Sequence, residues 1–356
     1  MSPSNHKQTL RKDYPWTTYP LISSAPMRLI SKPALALAVS RAGGLGFLAA
    51  GHDLSTLSDE IREIQDSLSN DPIPGSYRDT LPIGIGFIVW GCDLEHVLSI
   101  LAPLPFPPAA VWLFAPHTSS DLQEWADSIR KLTGNLTKIW IQVGTVSSAL
   151  SAAHFCDPDV LVIQGSDAGG HGLAHSSSIV SLLPECASAL RSSAYSHIPL
   201  IAAGGIVESR GAAASFMLGA SGICMGTRFL ASSEAVISTG YRNAVLAAED
   251  GGVSTTRTTL YDKLRGTAGW PEEYNGRGVV NRSYWDEANG MSMEQNKELY
   301  EDEAKRGDEG YGNKGRLCTY AGSGVGLVRE TMDARDIVIE VREGMRKLIR
   351  EGLSRL

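Results

Sequence analysis

KIWIQVGTVSSALSAAHFCDPDVLVIQ, residues 138–164, reads as one complete strand–helix–strand unit. Lys138–Val143 and Val160–Gln164 are short β-type apolar runs, and the segment between them, Val146–His154, carries a helical pattern. Strands that are apolar on both faces and separated by a helix pair in parallel.

The same unit recurs on both sides. Upstream, the spacing predicts strands at Leu21–Ser24, Leu45–Leu48, Ile83–Phe87 and Val111–Phe114. Downstream it predicts strands at Leu200–Ala203 and Gly222–Met225. Helices are expected at Pro33–Arg41, Leu54–Leu68, Leu94–Leu101, Asp121–Leu132, Ile179–Ser192 and Glu208–Leu218. Gly43-Gly44, Gly204-Gly205 and Gly219 punctuate the junctions. Eight β/α units favour an α/β fold of the closed (β/α)₈ TIM-barrel type over an open doubly wound sheet. The alternation stops after Phe229. Residues 230–319 are polar, with scattered aromatics (Tyr241, Tyr261, Trp270, Tyr274, Tyr284, Trp285), and read as a smaller, partly helical lid subdomain. Residues 320–356 return to the barrel, ending in a helix over Asp336–Leu353. The expected organisation is therefore 1–229, 230–319 and 320–356.

Composition narrows the function. The chain has 356 residues and a net charge of −7. It shows no basic stripe suited to nucleic acid and no apolar run long enough for a bilayer. The N-terminus lacks the apolar core of a secretory signal. Five scattered cysteines form no Cys-x-x-Cys or Cys/His cluster, so reduced thiols and no metal site are expected. Asn135-Leu-Thr and Asn281-Arg-Ser then match glycosylation sequons by chance. Ser354-Arg355-Leu356 is a variant of the Ser-Lys-Leu peroxisomal address, or simply the end of a basic helix. The expectation is an intracellular protein, cytoplasmic or peroxisomal.

Candidate site residues cluster at the predicted strand ends. SDAGGHG, Ser166 to Gly172, follows the sixth strand and carries one imidazole, His171, among glycines that give it little packing. Such a group can exchange a proton near neutral pH. Asp167 beside it could orient a neighbour or face solvent. Gly204, Gly205, Gly226 and Thr227 follow the seventh and eighth strands, where barrels often bind phosphate through backbone N–H groups. Ser23-Ser24-Ala25-Pro26-Met27 ends the first strand as an extended segment able to lie against a ring. Gln142 ends the fifth and can both donate and accept at a ring's polar edge.

The set SSAPM, IQVGT, QGSDAGGHG, AAGGI and CMGTRF, with YAGSGVGLV at 320–328, resembles the nitronate monooxygenase family, formerly called 2-nitropropane dioxygenases. The resemblance runs from about Pro20 to Phe229. It implies a (β/α)₈ barrel that binds FMN non-covalently. By position, Ala25, Pro26 and Met27 line the flavin ring, Gln142 meets its polar edge, and Gly165 and Gly170 flank it. Gly205, Gly226 and Thr227 hold the phosphate, with Cys224 and Met225 nearby, and His171 matches the family's catalytic histidine. Many relatives carry Asn at the end of the third strand, where this chain has Gly86-Phe87. The implied activity is FMN-dependent oxidation of nitronates or nitroalkanes by O₂ to a carbonyl compound and nitrite. The expected partners are a small-molecule substrate and O₂, in a possible homodimer. The same loop is similar to one in flavin-type enoyl and quinone reductases. An NAD(P)H-dependent reductase, a flavin oxidase or dehydrogenase of a larger metabolite, and a non-catalytic phosphate-binding barrel are the alternatives.

Overall fold

The computed structural model describes residues 3–76, 79–267 and 269–354. Its strands are β1 (Leu21–Ser24), β2 (Phe47–Gly51), β3 (Leu81–Ile88), β4 (Pro108–Phe114), β5 (Lys138–Val143), β6 (Val160–Gln164), β7 (Gly170–Leu173), β8 (Leu200–Ala203), β9 (Gly222–Met225), β10 (Thr255–Thr258) and β11 (Tyr274–Val279). Eight of them form one parallel sheet in the order β1-β9-β8-β6-β5-β4-β3-β2. A parallel bridge between Ser23 and Leu45 closes the ring, with Ser24 N donating to Leu45 O at 3.2 Å and Leu45 N to Ile22 O at 3.0 Å. The expected (β/α)₈ barrel is the observed fold. Leu45, expected inside the second strand, instead makes this seam just ahead of it.

The helices form where capping and apolar spacing agree. Val146–Cys156 starts on a reciprocal cap, Thr145 Oγ1 accepting from Ser148 N at 3.0 Å and Ser148 Oγ from Thr145 N at 3.1 Å. Such a cap satisfies two backbone donors that a helix start leaves orphaned.

Side-chain alternation divides the core into two layers. One layer lies between the sheet and its helices, where Ile22, Ile141, Ile163, Ile223 and Met225 pack. The other fills the ring from inside, with Phe47, Trp112, Trp140 and Val162. The helix Pro3–Asp13 leads into this inner layer, and Tyr14 OH accepts from Trp140 Nε1 at 2.7 Å. Trp140 is fully buried. Replacing it with Ala is expected to cost about 3–5 kcal/mol, read as a lowered urea midpoint at unchanged m-value.

A second, antiparallel sheet runs β10-β11-β7. Its β7 is part of the glycine-rich segment that the sequence presents as a loop. Its strand state comes from pairing with β11, since Gly-His-Gly-Leu carries little β-propensity of its own.

The final helix, Ala334–Leu353, packs on the helices Ser209–Met217 and Pro33–Arg41. Arg342 donates to Ala42 O at 2.9 Å and Gly43 O at 2.7 Å, and Arg346 to Tyr19 O. Among the described residues no helix is long and apolar enough to cross a membrane. Arg355 and Leu356 of the C-terminal tripeptide lie outside the described residues.

Candidate active site

One large cavity opens at the C-terminal ends of the barrel strands, with about 1360 Å³ of space including its solvent-filled mouth. Of the residues singled out in the sequence, Ala25, Pro26, Met27, Gln142, Gly170, His171, Gly204, Gly205, Cys224, Gly226 and Thr227 line it together. Gly165 and Met225 do not. Met225 follows the inward-facing Cys224, so alternation turns it to the fully buried outer layer. At Gly165 the backbone meets the start of the helix Ile179–Ser192, and an added Cβ would lie 2.6 Å from Ile179 N.

The loop after β1 is held from both sides. Ala25 N donates to Met225 O at 2.9 Å, and Ser31 Oγ accepts from Met27 N at 3.1 Å while donating to Ala25 O at 2.8 Å. Gly86 of β3 faces Pro26, and a Cβ there would stand 2.3 Å from the Pro26 Cβ. Any side chain at 86 would push Pro26 off the cavity wall, so this chain's Gly at the third strand goes with its Pro26 placement.

Across the cavity, Gln142 Oε1 accepts from Trp112 Nε1 at 3.0 Å, which leaves the Gln142 amide nitrogen as a donor. Gly204 and Gly205 adopt φ of +107° and +73°, a turn that side-chain-bearing residues resist. Thr227 Oγ1 accepts from Gly322 N at 2.9 Å and keeps its own proton to donate. Burial pushes the Cys224 thiol up to about 12, so it is not a thiolate nucleophile at neutral pH.

His171 is held from several sides. Its Nε2 lies 3.0 and 2.9 Å from the two carboxylate oxygens of Asp262. Its ring stacks on Trp270, with centroids 3.7 Å apart and planes 6° from parallel. Gln164 Nε2 donates to its backbone carbonyl at 3.3 Å. Just upstream, Arg257 of β10 and Arg277 of β11 stand opposite each other, and each donates from Nε to Ser166 O at 3.1 Å. Arg257 also reaches Ala168 O at 3.1 Å. Burial, and then the facing Arg277, push Arg257 down to about 10. The two arginines fasten the histidine segment to the second sheet. Arg257→Ala is therefore expected to loosen that segment, seen as faster amide hydrogen exchange at residues 166–172 than in the parent.

Part of the cavity wall is cationic. Arg28 and Arg265 both line it, and burial followed by Arg265 lowers Arg28. Burial and then Arg28 lower His52 as well. Arg28 Nε, His52 Nδ1 and Trp90 Nε1 are buried without a hydrogen-bond partner among the described residues.

Sequence reasoning did not single out Asp262, Arg28, Arg257 or Arg277. Trp270 stood out only as one of several scattered aromatics. Asp262 lies 91 positions from His171, and no local pattern announces the contact.

The chain has clear relatives. A family model described as nitronate monooxygenase matches residues 11–74 and 123–344. The chain is 47% identical over 354 residues to nitronate monooxygenase npaC of Metarhizium robertsii, covering 98% of each chain. It is 36% identical to a nitronate monooxygenase of Neurospora crassa, covering 95% of this chain and 92% of that one. Among solved structures, FabK from Thermotoga maritima superposes with a TM-score of 0.72 at 23% identity, over 98% of each chain. Nitroalkane oxidase from Streptomyces ansochromogenes gives 0.70 at 23% identity, over 97% of this chain and 99% of that one. At those identities the two structures show the shared fold. The match along nearly the whole length to its fungal relatives carries more, and on it the chain belongs to the nitronate monooxygenase family of oxidoreductases.

Proposed function

We propose that this protein oxidises alkyl nitronates, and nitroalkanes after removing their acidic α-proton, with FMN as cofactor and O₂ as oxidant, giving a carbonyl compound and nitrite. The observation that carries the reading is one cavity holding both a glycine-turn cradle and a carboxylate-bound imidazole.

The residues present fit FMN. Gly204, Gly205, Gly226 and Thr227 would hold the phosphate through backbone N–H groups and one hydroxyl. Ala25, Pro26 and Met27 would line the ring, and the Gln142 amide would donate to its polar edge. FMN would supply the electron acceptor for the carbanion-like substrate and pass the electrons to oxygen.

The chain's own groups do the rest. Arg28 and Arg265 place positive charge on the wall that a nitronate anion would approach. With Nε2 of His171 against Asp262, Nδ1 is the ring nitrogen left to accept the α-proton of a neutral nitroalkane. Nδ1 has no hydrogen-bond partner among the described residues. Trp270 stacks on the imidazole and Tyr320 packs beside it, which leaves the His171 side chain largely buried.

The direct test is the purified protein. A yellow colour released by heat as FMN, with nitrite formed from nitronates under air and without NAD(P)H, is the expected result. Colourless protein that gains no thermal protection from added FMN, or strict dependence on NAD(P)H, overturns the proposal. Arg28→Ala is expected to raise KM for a nitronate about tenfold, the weight of one charge-assisted hydrogen bond, with kcat little changed in steady-state assays.

A further inference from the structure

The carboxylate that meets His171 does not come from the barrel. Asp262 lies on the helix Leu260–Arg265, beyond the eighth barrel strand. Three donors converge on it: His171 Nε2, Tyr320 OH at 3.0 Å and Thr267 Oγ1 at 3.1 Å, the last two both on Oδ1. The Asp262 side chain is 9% exposed and that of His171 13%. Burial raises the Tyr320 phenol well above its ordinary value, so it stays a donor.

We infer that Asp262 is a positioning residue that locks His171 in the Nε2–H tautomer and so leaves the basic lone pair on Nδ1. The inference rests on the reading of His171 as the base. A neutral imidazole carries one N–H and one lone pair, and a carboxylate only accepts. The ring nitrogen facing both oxygens of Asp262 must therefore hold the proton. The segment that places Asp262 also supplies Thr267 and Trp270, the residue stacked on the ring. What holds the imidazole is thus assembled by Asp262, Thr267, Trp270 and Tyr320, while its backbone belongs to β7, between the barrel strands β6 and β8. Proton abstraction needs this assembly. Oxidation of a nitronate already ionised in solution does not.

The test uses Asp262→Asn. Tyr320 and Thr267 keep an acceptor on their side, so the new amide nitrogen takes the place of Oδ2 and donates to His171 Nε2. The proton is then driven to Nδ1, the wrong tautomer for a base. Ring ¹⁵N spectra of histidine-labelled protein read this directly, with His171→Gln identifying the signal among the eight histidines. The parent should show a protonated Nε2, and Asp262→Asn an unprotonated one. Turnover of a neutral nitroalkane should fall about 100-fold or more. Turnover of the preformed nitronate should stay within about threefold, at unchanged flavin content. Asp262→Glu should recover part of the loss.

A parent spectrum with the proton on Nδ1 overturns the inference on its own, even if the variant fails to fold. An Asp262→Asn enzyme that keeps both its tautomer and its nitroalkane rate overturns it too. If His171→Gln changes neither substrate's turnover, the assignment of the base fails instead, and the parent spectrum still decides what Asp262 does to the ring.

Discussion

His171→Gln is expected to slow turnover of a neutral nitroalkane by about 10²- to 10⁴-fold, the span of a positioned general base. The same variant should lose less than about tenfold on a nitronate prepared by prior ionisation, because no proton remains to be removed. Glutamine keeps a polar group of similar length but cannot take up a proton at any working pH. The cofactor should stay bound, since the substitution leaves the backbone of the glycine turns after β8 and β9 unchanged. Parallel initial-rate assays on the two substrate forms, with the flavin spectrum as control, give the answer. Equal losses on both would mean that the imidazole orients or binds the anion rather than deprotonating its precursor. No loss on either would remove His171 from the chemistry.

The second large effect belongs to the turn after β8. Gly205→Val is expected to weaken FMN binding by at least about 100-fold, roughly 2.8 kcal/mol, so that the protein purifies without colour. Position 205 has φ of +73°, and an added Cβ would lie 3.0 Å from the Cβ of Asp167. A branched side chain there meets backbone strain of about 1–2 kcal/mol and presses the segment that carries His171. Gly219→Ala separates the two contributions. Gly219 has φ of +110°, but the atom nearest to a Cβ added there would be Ala187 Cβ at 3.9 Å, and the residue does not line the cavity. That variant should lose stability in a urea titration yet remain yellow. Loss of colour in both would trace the effect to general destabilisation rather than to the phosphate cradle.

The barrel was readable because each of its strands is buried on both faces. Runs such as Val160–Gln164 and Leu200–Ala203 are short, apolar and bounded by helices, which leaves few other places for them. The residues around the cavity were readable for a related reason, since barrels put their chemistry at strand ends. What the pattern could not settle was the face on which each residue falls. Met225 and Gly165 sit at the right ends but turn away, one by alternation and one by packing on a helix. The second sheet was not readable at all. Its β7 is mostly glycine and exists through pairing with β11, more than a hundred positions away in the chain. The Asp262 contact is of the same kind. Its meaning lies in which partner it meets, and a carboxylate on a short helix of a polar segment gives no sign of that.

The clasp made by Arg342 on the carbonyls of Ala42 and Gly43 joins segments 300 and 299 residues apart. Those carbonyls sit beside the seam between β1 and Leu45. During synthesis the first β/α units leave the ribosome long before the helix that covers them exists. Until that helix forms, the groove between the helices Ser209–Met217 and Pro33–Arg41 lacks the cover of Ile337, Val338, Val341 and Met345.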